Sequence, residues 1–180
     1  MVSGLLAVAF VCFAFAQAAV TRSAAQSAAD AAALAAAGEA RDHLFDGFLG
    51  VVGGEGEEDL GHILGGEDFY VPAACDEAAP RLADRNGADV VDCFPDDEGL
   101  GITVIVETRE TMGDSMIPGT EDEKARAEAT AVIRGLCELT TEEDERVELD
   151  CDEAPDWDFD PEDEEDLPDA RDLFQVYLED

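Results

Sequence analysis

Positive charge is scarce in this chain of 180 residues. Ten Lys and Arg residues stand against 46 Asp and Glu residues, and the formal net charge is −36. Such a chain repels phosphate groups, which excludes binding to nucleic acid through its backbone and disfavours an anionic lipid surface. Apolar residues nevertheless make up 46% of the sequence, too many for a uniformly acidic disordered protein. The charged and the apolar residues must therefore lie in different parts of the chain.

Recognisable arrangements of catalytic or metal-binding residues are also lacking. The sequence contains no Gly-x-Ser-x-Gly segment, and no histidine lies within motif distance of a cysteine or serine. A structural zinc site has no basis, because no CxxC pair occurs and both His43 and His62 are isolated. Aspartates alternate near residue 158 as in a calcium loop, but Pro161 stands where that loop needs glycine. We expect a non-enzymatic protein without metal, cofactor or small-molecule substrate.

Charge is completely absent from Met1 to Thr21. An apolar run of this length can cross a hydrocarbon core of about 30 Å as a helix, which predicts a single membrane span. The residues expected to contact lipid or neighbouring helices are Gly4, Leu5, Leu6, Val8, Phe10, Val11 and Phe13. Two alternatives stay open. A signal peptide cleaved after Ala18 fits the small-x-small pattern at that point, and a core helix would also be apolar.

The helix is predicted to continue beyond the uncharged run. Residues 21–37 contain no proline or glycine and are rich in alanine, the residue with the highest helix propensity. A single helix over residues 4–45 would be about 60 Å long. Its outer half carries small side chains, which allow close approach of other helices.

The N-terminal region resembles Flp pilus-assembly TadE/TadG-like proteins. The uncharged span runs into Gln26 to Ala37, QSAADAAALAAA, and the family carries Q-x-A-A-D-A-A-A-L-A just outside a membrane helix. The segment from Cys75 to Cys93, with a helix, Asn-Gly-Ala and a strand, is similar to the pattern of TadE-like pilins. The helix-packing residues that the resemblance implies outside the membrane are Gln26, Ala29, Asp30 and Leu34.

The resemblance also implies a function and a location. The expected protein is a membrane-anchored pilin-like component in the assembly or structure of a Flp/Tad-type pilus. It would cross the cell membrane once, with its C-terminal domain outside the cytoplasm, and its partners would be other pilin or pilus-assembly proteins. The alternative is a secreted or membrane-tethered acidic module that binds cations or a cell-wall polymer.

Four cysteines lie beyond the apolar span, an even number that suits an oxidising compartment. Three pairings are possible. Cys75–Cys93 and Cys137–Cys151 are favoured, because each pair brackets a local unit of structure. Cys12 lies within the apolar run and is expected to act as a small apolar side chain.

The remaining sequence predicts an α+β fold with four segments. Residues 1–46 would form the membrane-spanning and alanine-rich helix, and residues 47–69 a Gly-rich acidic linker. Residues 70–139 would form a small disulfide-linked domain of helices and antiparallel sheet. Residues 140–180, which hold much of the negative charge, are expected to be mostly disordered.

Local patterns predict the elements of that domain. A helix over residues 75–85 should end at Asn86-Gly87, followed by strands at 88–94 and 100–107. A second helix is predicted over 121–139, since apolar residues recur there at helical spacing. A last helix from Pro168 is expected to dock either on the core, which we prefer, or on an assembly partner.

Overall fold

A computed structural model describes residues 2–52, 60–66, 70–96, 101–111, 123–143, 146–152, 155–161, 163 and 166–179. The side chains of 2–7, 9–18 and 141–143 lie outside this description. The elements in chain order are α1 (Val2–Val52), α2 (Leu60–Leu64), a π-helical turn (Ala74–Ala78), α3 (Ala79–Arg85), β1 (Ala88–Pro95), β2 (Gly101–Thr111), β3 (Lys124–Gly135), β4 (Cys137–Glu143), β5 (Arg146–Cys151), β6 (Trp157–Phe159), α4 (Ala170–Leu173) and β7 (Phe174–Leu178).

A four-stranded antiparallel sheet in the order β1-β2-β3-β7 supports the C-terminal part of α1. Ile102, Val104 and Val106 of β2 are fully buried, as the alternation of this strand predicts. Opposite them α1 presents a row of fully buried alanines at helical spacing, followed by larger side chains near its end: Ala25, Ala28, Ala29, Ala32, Ala33, Ala36, Ala37, Ala40, Leu44 and Phe48. The core is therefore a smooth alanine face laid on a sheet of β-branched residues.

The predicted helix over residues 121–139 is wrong for the described part of that range, because Lys124–Gly135 form β3 and Cys137 begins β4. Ala125, Ala129 and Ile133 are buried, and they lie on one face of a helix as well as on one face of a strand. The exposure of the even-numbered positions 124, 126, 128 and 134 is consistent with a strand, because side chains of a strand alternate between two faces. The pairing of Val104 with Ala129 then buries the inner face of both strands beneath α1.

The predicted disorder of the acidic tail is not confirmed. Its described residues include a second antiparallel sheet in the order β4-β5-β6. Val147, Leu149 and Cys151 of β5 are buried while the positions between them are exposed, so the carboxylates face solvent and the apolar residues face the core. Phe159 of β6 lies against Phe48, with ring centroids 6.2 Å apart. Burial of every second side chain thus stabilises this sheet more than the repulsion between its acidic residues destabilises it.

The C-terminal segment docks on the core as predicted, but only its first turn is helical. A capping box formed by Asp169 and Asp172 begins α4, which ends at Leu173. The chain then becomes strand β7, which pairs antiparallel with β3 from Gly135↔Phe174 to Ala131↔Leu178. Phe174 is buried and Tyr177 is exposed, so a strand accounts for their opposite surroundings.

The α+β class, the long N-terminal helix and the antiparallel sheets are confirmed. The helix at residues 75–85 and the strand at 88–94 also occur, as does the second strand from its first described residue, Gly101. Gly87 has a positive φ of 73°, as a helix-ending glycine requires. α1 continues to Val52, past the predicted boundary at residue 46. Within the described part of the chain, no helix is both long and apolar enough to cross a membrane.

Candidate functional site

Helix α1 has two halves with different surroundings. Residues 25–52, the packed half, bury the alanine row on the sheet. Residues 2–24 form the projecting half, whose described side chains include the exposed Val8 and Val20, with exposed fractions of 63% and 69%. A helix of 51 residues is about 76 Å long, whereas the 12-residue strand β3 spans about 40 Å. Part of α1 therefore extends beyond the domain.

The membrane and packing residues predicted from sequence fall into three groups. The backbone of Gly4, Leu5, Leu6, Phe10, Val11 and Phe13 is helical, while their side chains lie outside the described residues. Val8 is exposed on the projecting half, and Leu34 is 38% exposed on the packed half. Ala29 is fully buried on the chain's own sheet. Ala29 therefore packs within the chain's own core and is not available for contact with another helix.

Gln26 connects the packed half of α1 to the sheet. Its side-chain Nε2 donates a hydrogen bond to Oδ1 of Asp30, one turn later, at 2.8 Å. The same nitrogen donates to the backbone carbonyl of Glu128 in β3 at 3.2 Å. Gln26 and Asp30 of the alanine-rich segment therefore form one hydrogen-bonded unit, which connects α1 to β3. The contribution of Glu128 could not be read from sequence, because it is made by the backbone.

An open groove of about 440 Å³ lies beside this unit. It begins where β7 ends, and its described lining residues include three carboxylates and no basic side chain. The lining residues are Gln26, Asp30, Glu128, Ala129, Thr130, Leu178 and Glu179. Negative charge is therefore concentrated along the side of the helix that meets β3.

Ion pairs use most of the basic residues on the strands. Arg109 Nη2 lies 2.7 Å from Asp89 Oδ1, and Arg126 Nε lies 2.8 Å from Glu107 Oε2. The hydrogen bond from Arg109 lowers the pKa of Asp89, and that from Arg126 lowers the pKa of Glu107. These shifts favour the charged states, which suits structural pairs on an exposed surface rather than proton transfer.

Two disulfides hold the domain together, in the predicted pairings. Cys75–Cys93 joins the π-helical turn to β1, on the side where α3 contacts α1. Cys137–Cys151 joins the directly paired ends of β4 and β5. Among the described residues, no group of three or more His, Cys, Asp or Glu side chains could hold a metal ion.

These features define an α+β protein in which a long N-terminal helix carries a small disulfide-linked domain on its C-terminal half. Residues 1–39 match the family described as putative Flp pilus-assembly TadE/G-like, which confirms the resemblance over that segment. The match covers the projecting half, Gln26, Asp30 and the first part of the alanine row. It supports a role related to pilus assembly. No curated protein and no solved structure matches the chain.

Proposed function

We propose that this chain is a non-enzymatic, membrane-anchored, pilin-like component in the assembly or structure of a Flp/Tad-type pilus. The observation that carries the proposal is the family match over residues 1–39, since it includes the whole half of α1 that extends beyond the domain. The disulfide-linked, acidic domain would lie outside the cytoplasm, where disulfides persist.

Anchoring is assigned to the uncharged residues 1–21. A helix of this length spans about 30 Å, the thickness of a hydrocarbon core, and the first charge, at Arg22, would lie at the membrane surface. The start of the packed half at Ala25 then places the sheet just outside the bilayer. One continuous helix would thus connect the lipid phase to the domain.

Contacts between copies or with pilin partners are assigned to the projecting half. The domain carries nearly all of the negative charge, so that two domains repel each other. The uncharged helix has no such repulsion, and its small residues allow close helix packing. Assembly would therefore proceed through the helices, with the acidic domains kept apart around them.

Two exposed valines of the projecting half allow a matched test. Val8→Arg places a charge within the uncharged run, where insertion costs about 2.5–3.5 kcal/mol in the middle of a membrane helix. Val20→Arg places the same charge beside Arg22, at the expected surface. In cells that make the pilus, we expect Val8→Arg to lower the membrane-bound fraction at least tenfold and to prevent assembly. Val20→Arg should change the membrane-bound fraction less than twofold.

Thermal unfolding of both variants in detergent provides the control for folding. Each valine is mostly exposed, so neither change should lower the unfolding midpoint of the domain. Equal membrane retention of the two variants would contradict the anchoring role. The pilus role is tested separately. Normal pili in a strain that lacks the protein would contradict it, whatever the membrane retention of the two variants.

A further inference from the structure

Strand β7 covers only part of the β3 edge. Their pairing runs from Gly135↔Phe174 to Ala131↔Leu178, and the N–H of Glu179 donates to the carbonyl of Thr130 at 2.9 Å. From Lys124 to Ala129, no strand among the described residues pairs with β3 on this side. The groove beside Gln26 lies at the end of this stretch next to β7, where Glu128 and Ala129 line it.

The even-numbered residues of β3 direct their backbone groups away from β2. The N–H of Ala125 donates to Oγ1 of Thr108 in β2, so odd-numbered residues bond toward β2. The carbonyls of Glu128 and Thr130 accept hydrogen bonds from the opposite side. By the alternation of antiparallel strands, Arg126 and Glu128 present their N–H groups to this side as well, and Glu128 lines the groove. No strand among the described residues pairs with either of them on this side.

Gln26 occupies one position of the missing strand. Its side-chain amide donates to the Glu128 carbonyl, as a backbone N–H of a neighbouring strand would. The other polar groups of the edge keep their capacity for strand pairing, and pairing of an extended peptide with such an edge is a general mode of recognition. The geometry therefore fits an extended peptide that lies in line with β7 along the same edge of β3.

The charge of the groove selects the peptide. Asp30 lies on the helix side, Glu128 on the strand and Glu179 at the end of β7, and no basic side chain is among the described residues that line the groove. Lys124 and Arg126, farther along β3, are both paired with Glu107. A second copy of this chain, with a net charge of −36, is a poor occupant. We propose that this edge binds an extended, positively charged segment of a partner protein, which adds as a strand to β3 beside α1.

The two faces of the sheet define what side chains the peptide needs. A strand beside β3 directs alternate side chains toward α1, near Asp30, and toward the outer face, near Glu128. Basic residues of the peptide would therefore meet Asp30 on the α1 side and Glu128 on the outer face, next to Arg126, which is paired with Glu107. This inference does not depend on a role in a pilus, because it concerns only the domain and the packed half of α1.

A synthetic seven-residue peptide that alternates lysine and valine is a suitable probe. Its control has the same composition but valines of D configuration, which retains the charge and prevents strand formation. Binding to the full chain in an uncharged detergent is measured by fluorescence anisotropy at 0.15 M salt, where exposed charges are screened beyond about 8 Å. We expect the probe to bind at least tenfold more tightly than its control. Hydrogen exchange should show new protection at Arg126 and Glu128.

Two substitutions at one position separate backbone pairing from charge. Glu128→Pro removes the N–H that faces the groove while the bonds to β2, made by odd-numbered residues, remain. Glu128→Gln removes only the charge. We expect Glu128→Pro to weaken binding at least tenfold and Glu128→Gln by about threefold. Circular dichroism and the unfolding midpoint of each variant establish that it folds, and Asp30→Asn, on the helix, gives a second charge variant.

Several results would overturn the proposal. Equal affinity for the probe and its D-valine control would show attraction by net charge alone. An unchanged affinity of folded Glu128→Pro would place the peptide elsewhere. Slow exchange at Glu128 in the free protein would mean that the edge is already paired. Self-association lost in Glu128→Pro would identify a second copy as the occupant instead.

Discussion

The two halves of α1 have the same secondary structure, but their side chains have different surroundings. In the packed half, alanines at helical spacing are fully buried against β2 and β3, and Leu44 and Phe48 complete the face. In the projecting half, the described valines at positions 8 and 20 are mostly exposed. Helix propensity is high in both, so the sheet, not the local sequence, decides which residues are buried. In the function proposed above, the second environment of the projecting half is the membrane together with neighbouring helices.

Truncation of a side chain should separate the two halves most strongly. Phe48→Ala removes a fully buried ring that lies against Phe45 and Phe159, and we expect it to lower the free energy of unfolding by about 3–5 kcal/mol. Val20→Ala, in the projecting half, should change it by less than about 0.5 kcal/mol. Denaturant titration of both variants measures the difference. Comparable losses would mean that the projecting half is also packed on the domain.

Removal of a disulfide should lower the stability of the domain and leave the projecting half of α1 unchanged. The Cys75–Cys93 bridge closes a loop with a sequence separation of 18 residues, and its loss as the double Ser variant should cost about 3 kcal/mol. Cys137–Cys151, with a separation of 14, provides the matched comparison. Amide exchange at residues 19–24 should remain unchanged in both variants. Faster exchange there would show that the two halves of α1 unfold together.

Enlargement of an alanine tests the close approach of helix and sheet. Ala29→Leu adds atoms at a fully buried position facing β3, and we expect a loss of about 1–3 kcal/mol from overpacking. Ala24→Leu makes the same change at an exposed position, where the effect should be close to zero. A tolerated Ala29→Leu would contradict the close packing of the alanine row.

The smallest effect concerns the exposed pair Arg146–Asp158 between β5 and β6, at 2.8 Å. The hydrogen bond from Arg146 lowers the pKa of Asp158 from its ordinary value of 3.8. The pair therefore adds stability above that value, and the addition is lost as the pH falls through the lowered pKa. Asp158→Asn should lower the unfolding midpoint slightly at pH 7 and not at pH 2. Arg146→Gln should behave in the same way; a difference that persists at pH 2 would exclude this origin.

Regular local patterns were sufficient to predict part of this structure. The helix that ends at Asn86-Gly87, the alternation in β2 and both disulfides depend on neighbouring residues and were predicted correctly. The prediction of a helix at β3 was wrong, because alanines suit helical and alternating spacing equally and the bonds that decide come from distant strands. Charge content concealed the alternation of Val147 and Leu149 in β5.

The candidate site was predictable only in part. The resemblance drew attention to Gln26 and Asp30, and the structure joins Gln26 both to Asp30 and to the backbone of β3. The backbone carbonyl of Glu128 and the unpaired edge next to it have no signature in side-chain chemistry. They follow from where β7 ends, which depends on the pairing of residues more than forty positions apart. Long-range pairing is the information that a single sequence carries least directly.

The central claim, that the projecting half of α1 is in lipid while the packed half is not, is tested most directly by thiol labelling. Single cysteines replace Val8, Val20 or Leu34 in a Cys12→Ser background, and a membrane-impermeant maleimide is added to the protein in liposomes. Without lipid, the exposed fractions of 63%, 69% and 38% predict the slowest reaction at position 34. In liposomes we predict that position 8 reacts most slowly, at least tenfold more slowly than position 34. A reaction at position 8 that is as fast as at position 34 would contradict the account.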